Sequence, residues 1–166
     1  CSKLMGLLAP HPGLQKHISI EITESAAITD LTGVNTAIQD FRDMGFKVAL
    51  DDFGAGAASF DYLNSFDVDI VKFDGPVVKR AVKTRRGRAF LKSMATLCSE
   101  IGVETIAEMV EDEGLAAFLR DSGVGFGQGW HFGKPSRRIA DFLGSDDSVM
   151  ISNPGIDLEN RLGRRS

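Results

Sequence analysis

The sequence predicts an α/β fold with a parallel sheet, because short segments of strand character alternate with amphipathic helices. The first strand is predicted at 18–23, where apolar and polar residues alternate with a period of two. In the helix that follows, apolar residues recur at helical spacing from Val34 to Phe41, with Thr29 or Asp30 as the N-cap. Gly45 is expected to end this helix and return the chain to the sheet.

The same strand–helix unit recurs along the chain as far as residue 130. Gly102 and Gly123 repeat the role of a glycine between a helix and the next strand. Further strands are predicted at 46–50, 68–73, 104–107 and 124–130, with helices near 59–65, 90–101 and 115–119.

Two architectures compete for five such units, an open doubly wound sheet and a closed eight-stranded barrel. No strand is followed by a GxGxxG turn or a P-loop, which weakens the doubly wound nucleotide-binding fold. A complete barrel takes roughly 200–250 residues. The interpretation is therefore a TIM-like (β/α)8 barrel that is partial, with about five β/α units in 1–143 and about three strands missing at the N-terminal side. The polar segment 144–166 is predicted to be a tail.

Composition excludes several function classes. A net charge of −4 gives no general attraction to nucleic acid or to anionic membranes. No apolar run approaches the roughly 20 residues that span a bilayer. Cys1 and Cys98 form no disulfide framework, which favours a cytoplasmic location. Because the chain begins with Cys1, we expect it to be part of a longer protein.

Acidic residues recur where the predicted strands end. In a parallel barrel these ends share one face, where active sites form. A cluster of carboxylates there suits Mg²⁺, Mn²⁺ or Ca²⁺, whereas the three histidines have no zinc-type spacing. The side chains concerned are Glu21, Glu24, Asp51, Asp52, Lys72, Asp74, Glu108, Glu111 and Gln128.

Any one acid at a strand end is more often a helix cap or a solvated loop residue. The pair Asp51-Asp52 is less easily explained that way, because two adjacent carboxylates ending an apolar strand are costly unless they are used. Lys72 within an apolar strand also calls for acidic partners. An oxygen-rich site with one lysine is typical of metal-assisted hydrolysis of a phosphodiester.

Five runs in this order and spacing resemble the EAL domain family over about residues 15–140. They are Glu-Ile-Thr-Glu-Ser (21–25), Asp-Asp-Phe-Gly-Ala-Gly (51–56), Val-Lys-Phe-Asp (71–74), Ala-Glu-Met-Val-Glu (107–111) and Gly-Gln-Gly-Trp-His-Phe-Gly-Lys-Pro (127–135). The resemblance implies a barrel that binds cyclic-di-GMP and hydrolyses it to the linear dinucleotide at a two-metal site holding Mg²⁺ or Mn²⁺.

The resemblance also implies a role for each matching residue. Metal ligands would be Glu21, Asp51, Asp52 and Glu108. Catalytic residues would be Glu108 as the general base, Lys72 as the group that orients water and phosphate, and Asp52. Gln128 and Glu111 would bind substrate, and Glu24 would anchor the loop after the aspartate pair.

The chain departs from the family pattern at a few positions. The Glu-Ala-Leu motif and an asparagine ligand have no counterpart, so we expect little or no turnover from the isolated chain. Alanine stands at 55, 57 and 58 where threonine, tyrosine and serine are usual, and Met109 replaces a glycine. The alternative to a phosphodiesterase is therefore a catalytically degenerate cyclic-di-GMP receptor. A homodimer and an N-terminal sensory or signalling domain are the further partners that the resemblance implies.

Overall fold

The computed structural model describes residues 2–8, 10, 13, 15, 17–23, 28–56 and 59–134. Five strands and six helices lie within these ranges. The strands are β1 (Ser19–Thr23), β2 (Lys47–Phe53), β3 (Ile70–Phe73), β4 (Glu104–Ala107) and β5 (Phe126–Gly127). The helices are α1 (Ser2–Leu8), α2 (Leu31–Asp43), α3 (Ser59–Ser65), α4 (Gly75–Ala81), α5 (Arg85–Glu100) and α6 (Glu113–Asp121).

All five strands are parallel and lie in the order β1-β2-β3-β4-β5. A doubly wound sheet reverses its strand order at a switch point, whereas a barrel winds in one direction. The unbroken order therefore selects the barrel over the open sheet, and the five strands form part of a TIM-like barrel. The predicted tail 144–166 lies outside the described residues, as does Glu24.

The core lies between the helices and the outer face of the sheet. Val48, Leu50, Val71 and Phe73 present completely or almost completely buried side chains. Helix α2 packs with Ile38 and Phe41, in agreement with its predicted apolar stripe, and α5 and α6 contribute Leu91, Cys98, Ala116 and Leu119. Burial of this outer face fixes which side chains point the other way, toward the barrel interior.

Helix caps explain where several helices begin. Asp30 accepts a hydrogen bond from the Gly33 amide at 2.8 Å, as predicted. Asp112 does the same for Leu115 at 2.8 Å. Each cap satisfies a backbone donor that the first helical turn leaves unpaired.

Some predicted boundaries were wrong. Strand β2 continues past Leu50 through Asp51 and Asp52 to Phe53, and β5 is limited to Phe126–Gly127. Helix α1 was not predicted, and neither was the seven-residue helix α4. Its N-cap is Asp74, whose carboxylate accepts from the Val77 amide at 2.9 Å, so this strand-end acid is a helix cap.

Candidate metal-binding and catalytic site

A lysine surrounded by carboxylates lies at the carboxyl end of the sheet. Lys72 is central in β3, and its side chain is only 9% exposed. Its Nζ lies 2.8 Å from Asp51 Oδ1, 2.9 Å from Glu108 Oε1 and 3.2 Å from Glu21 Oε1. These acids come from β2, the residue after β4, and β1. The expectation that buried Lys72 has acidic partners is therefore confirmed.

The same carboxylates keep Lys72 charged. Burial by itself lowers the pKa of an ammonium group, since it disfavours the charged form. Hydrogen bonds to Asp51, Glu108 and Glu21 outweigh that effect and raise the pKa of Lys72 above its usual value. The site thus holds a permanent cation at neutral pH.

A β-bulge brings Asp51 and Asp52 to the same site. Adjacent residues of a regular strand point to opposite faces. Between Leu50 and Phe53, however, β2 contains one residue more than the facing stretch of β3 from Val71 to Phe73. Asp52 takes a left-handed conformation with φ of 58°. The bulge and this turn let both carboxylates serve one site, at a conformational cost of about 1–2 kcal/mol for Asp52.

Three carboxylates are close enough together to share a metal ion. Oxygen atoms of Asp51, Asp52 and Glu108 lie within 4.8 Å of one another. Glu21 is not part of that group, and its half-exposed side chain approaches Lys72 from β1, at the edge of the described sheet. The structure therefore brings three of the four predicted metal ligands together and places the fourth beside Lys72, which also contacts Asp51 and Glu108.

The donor set fits a hard divalent cation. Asp51 Oδ1 is buried, and within the described part of the chain its close contact is with Lys72 Nζ at 2.8 Å. Four carboxylates and one ammonium leave a formal excess of three negative charges when all are ionised. Oxygen ligands with an uncompensated negative charge are what Mg²⁺, Mn²⁺ and Ca²⁺ require.

An open cleft of about 510 Å³ adjoins the carboxylates, within the range of small-molecule sites. Glu108 and Met109 line it from the end of β4. The predicted substrate residues Glu111 and Gln128 also line it, together with Gly129, Trp130, Gly133 and Lys134. The two predicted substrate residues therefore share a cleft with the predicted general base.

Backbone contacts hold the segment after β5 against the end of β4. The Gln128 amide donates to the Ala107 carbonyl at 2.8 Å, and the Val110 amide donates to the Gln128 carbonyl at 3.0 Å. A Cβ on Gly129 would overlap the Val110 backbone, so only glycine fits at this approach. These contacts fix Gln128 at the mouth of the cleft.

Three side-chain contacts near the cleft were not predicted. Lys79 of α4 pairs with Glu111 at 2.8 Å, and His131 Nε2 lies 3.0 Å from Glu113 Oε2. Lys134 lies over the ring of Trp130, with Nζ 5.4 Å from its centroid. The sequence signal for this wall was the glycine-rich run 127–133 directly after a strand, which favours a close backbone approach to a ligand.

The fold and the site together define a class: a TIM-like barrel with an acidic, metal-compatible centre at the carboxyl ends of its strands. The sequence matches the EAL domain family over residues 1–135. The chain belongs to the EAL domain family.

Known relatives agree with this assignment. The chain is 38% identical over 118 residues to "Cyclic di-GMP phosphodiesterase PdeB" of Shewanella oneidensis, which is 71% of this chain and 14% of that protein. The crystal structure of an EAL domain protein from Listeria monocytogenes superposes with a TM-score of 0.73 at 30% identity, covering 81% of this chain and 53% of that one. A manganese and cyclic-di-GMP complex of Klebsiella pneumoniae BlrP1 superposes with a TM-score of 0.71 at 29% identity, covering 81% and 34%.

The chain thus spans about half of the Listeria chain and a much smaller share of PdeB. Within the described residues, no helix is both long enough and apolar enough to cross a membrane.

Proposed function

We propose that this chain forms the larger C-terminal part of a cyclic-di-GMP phosphodiesterase domain. The observation that carries the proposal is Lys72 held by Glu21, Asp51 and Glu108 beside the Asp51–Asp52–Glu108 group. Relatives named cyclic di-GMP phosphodiesterases and a neighbour with bound manganese and cyclic-di-GMP support the substrate and the metal.

Asp51, Asp52 and Glu108 would hold the metal, with Glu21 completing the set from β1. A divalent cation there, Mg²⁺ or Mn²⁺ in the proposal, would polarise the phosphodiester and neutralise developing negative charge. The residues upstream of this chain would provide the remaining ligands of a two-metal site.

The chain's own residues perform the rest of the proposed reaction. Glu108 accepts a proton from the attacking water as the water oxygen bonds to phosphorus. One phosphorus–oxygen ester bond breaks, its oxygen leaves as a hydroxyl after taking up the proton that Glu108 accepted, and the ring opens to a linear dinucleotide. Lys72, kept cationic by its carboxylates, orients the water and a phosphate oxygen. Gln128 and Glu111 hold the nucleotide in the cleft.

A receptor that binds cyclic-di-GMP without cleaving it is the second candidate. Its support is the loop after Asp52, where alanines stand at positions 55, 57 and 58. The homodimer, the N-terminal sensory or signalling domain, the cytoplasmic location and the anchoring role of Glu24 stay predictions.

The test follows hydrolysis of cyclic-di-GMP by the full-length protein with Mg²⁺ or Mn²⁺, using chromatography of the linear product. We expect Asp51→Asn and Glu108→Gln each to reduce turnover by about 10²–10³-fold or more, because each removes a charged group at the reacting centre. Lys47→Met, at the opposite end of the sheet, is the control and should leave turnover unchanged. Binding of the nucleotide without any product in the unmodified protein would assign the receptor role instead.

A further inference from the structure

Met109 occupies a backbone conformation that normally belongs to glycine. It follows Glu108 directly at the end of β4, and its φ is 53°. A residue with an unbranched side chain persists there only when its surroundings require it, and such residues cluster at functional sites.

The Met109 side chain lies over the backbone of Gly75, the first residue of α4. A Cβ on Gly75 would overlap Cβ, Cγ and Sδ of Met109. The absence of a side chain at position 75 therefore creates the space that the thioether fills. This packing of 75 and 109 gives the methionine a defined position beside the catalytic carboxylates.

That position is at the wall of the cleft. Met109 is 42% exposed and lines the same cleft as Glu108 and Gln128. Trp130, 64% exposed, lines it from the segment after β5. These are the two large apolar side chains that this cleft exposes among its lining residues, and the others offer glycine backbone or polar groups.

We propose that Met109 is a specificity-determining residue that contacts the planar base of the nucleotide in this cleft. Methionine sulfur makes favourable contacts with aromatic rings, and an exposed indole offers a stacking surface to any base. The site would therefore prefer ligands with a planar base over phosphate esters without one. This proposal rests on the proposed function, since it assumes that the cleft beside Glu108 receives the nucleotide.

The test compares Met109→Gly with the unmodified full-length protein in calorimetric binding of cyclic-di-GMP with Ca²⁺, of GMP, and of ribose 5-phosphate as the probe without a base. We expect affinity for cyclic-di-GMP and for GMP to fall about 3- to 10-fold, the range of a sulfur–aromatic contact, and affinity for ribose 5-phosphate to stay unchanged. Met109→Leu keeps an apolar wall without the sulfur and should lose less affinity than Met109→Gly. Gly75→Ala should reproduce the loss, because its Cβ displaces the methionine.

Thermal unfolding separates this role from a structural one. Glycine adopts a positive φ without strain, so Met109→Gly should leave the midpoint of unfolding unchanged or raise it. A lower midpoint together with equal losses for all three probes would instead mean that Met109 only packs against α4, and would overturn the proposal. So would full affinity for GMP in Met109→Gly. Failure of the unmodified protein to bind cyclic-di-GMP would overturn the proposed function itself.

Discussion

The two ends of the sheet use the same structural devices for different purposes. At the amino ends of the strands, the turns from helix to strand contain Gly45, Gly102 and Gly123, each with φ between 77° and 88°. At the carboxyl ends, Asp52 and Met109 take positive φ values without being glycine. The backbone at the amino end is therefore unstrained, whereas Asp52 and Met109 at the carboxyl end adopt strained conformations.

Ion pairs differ between the two ends in the same way. At the amino end, Lys47 pairs with Glu104, and Arg42 pairs with Asp69, which also accepts the Val48 amide at 3.0 Å. At the carboxyl end, one buried Lys72 serves three carboxylates. A one-to-one pair is electrically complete, but a lysine with several acids leaves negative charge for a ligand to neutralise. The excess of carboxylates, rather than the presence of ion pairs, therefore distinguishes the carboxyl end of the sheet, where the site lies.

The largest expected effect on stability tests this difference directly. Lys72→Met should lower the free energy of unfolding by about 2–3 kcal/mol, less than for a fully buried pair because the carboxylates are partly solvated. Lys47→Met, which breaks an exposed pair, should cost less than about 1 kcal/mol. Urea unfolding of both variants measures the two values.

The same unfolding measurements are repeated with a divalent metal ion. If the acids around Lys72 hold a cation, millimolar Mn²⁺ should recover part of the stability that Lys72→Met loses and none of what Lys47→Met loses. Equal costs for the two lysines, or no response of Lys72→Met to metal, would contradict the distinction between the ends.

The residues with positive φ give smaller expected changes in the free energy of unfolding. Adding a Cβ to a glycine introduces strain at the amino end, and removing one relieves strain at the carboxyl end. A Cβ at Gly102 would meet no other atom within 4 Å, so Gly102→Ala isolates the conformational cost, and we expect a loss of about 1–2 kcal/mol. Without metal, Asp52→Gly should be more stable than Asp52→Ala by about 1 kcal/mol, because both lose the carboxylate and only glycine removes the strain. Denaturant unfolding of the three variants without metal checks both signs.

Metal affinity should change in both variants at position 52. Asp52→Gly and Asp52→Ala should both weaken Mn²⁺ binding, measured by titration calorimetry, because both remove the same carboxylate. If Asp52→Gly is no more stable than Asp52→Ala, the strain assigned to Asp52 is wrong.

The fold and most of the site could be predicted from the sequence, because both follow from the local spacing of apolar residues. Period-two and helical spacing located the five strands and the main helices, and parallel pairing then forced Glu21, Asp51, Lys72 and Glu108 to one end. The pairing of Lys72 followed from burial alone, since an apolar strand cannot hold a lysine without acids.

The rest depended on backbone geometry that no pattern encodes. The strand was predicted at 46–50 with Asp51 and Asp52 at its end, yet the bulge keeps both aspartates inside β2. Asp74 looked like its neighbours at strand ends but caps α4. The fit of Met109 over Gly75 joins residues 34 positions apart and required coordinates.

The smallest expected effect concerns Cys98, on α5 near the amino end of the sheet. Its completely buried side chain raises the pKa of the thiol to about 11, because burial disfavours the thiolate. The unfolded chain ionises this thiol near its ordinary pKa, about 9, and the folded protein does not. The stability that Cys98 contributes is therefore present below pH 9 and decreases as the pH rises from about 9 to 11, by about 1 kcal/mol at pH 10.

Cys98→Ala removes this dependence and leaves the titration of Lys72 in place, so unfolding free energies at pH 8 and pH 10 should differ less for the variant than for the unmodified protein. Alkylation of Cys98 by iodoacetamide at pH 8 should proceed only through unfolding, at a rate that denaturant increases. Rapid alkylation in the native state would mean that α5 opens at the amino end. The amino end of the sheet would then be more mobile than the carboxyl end, so the two ends would differ in dynamics as well as in charge.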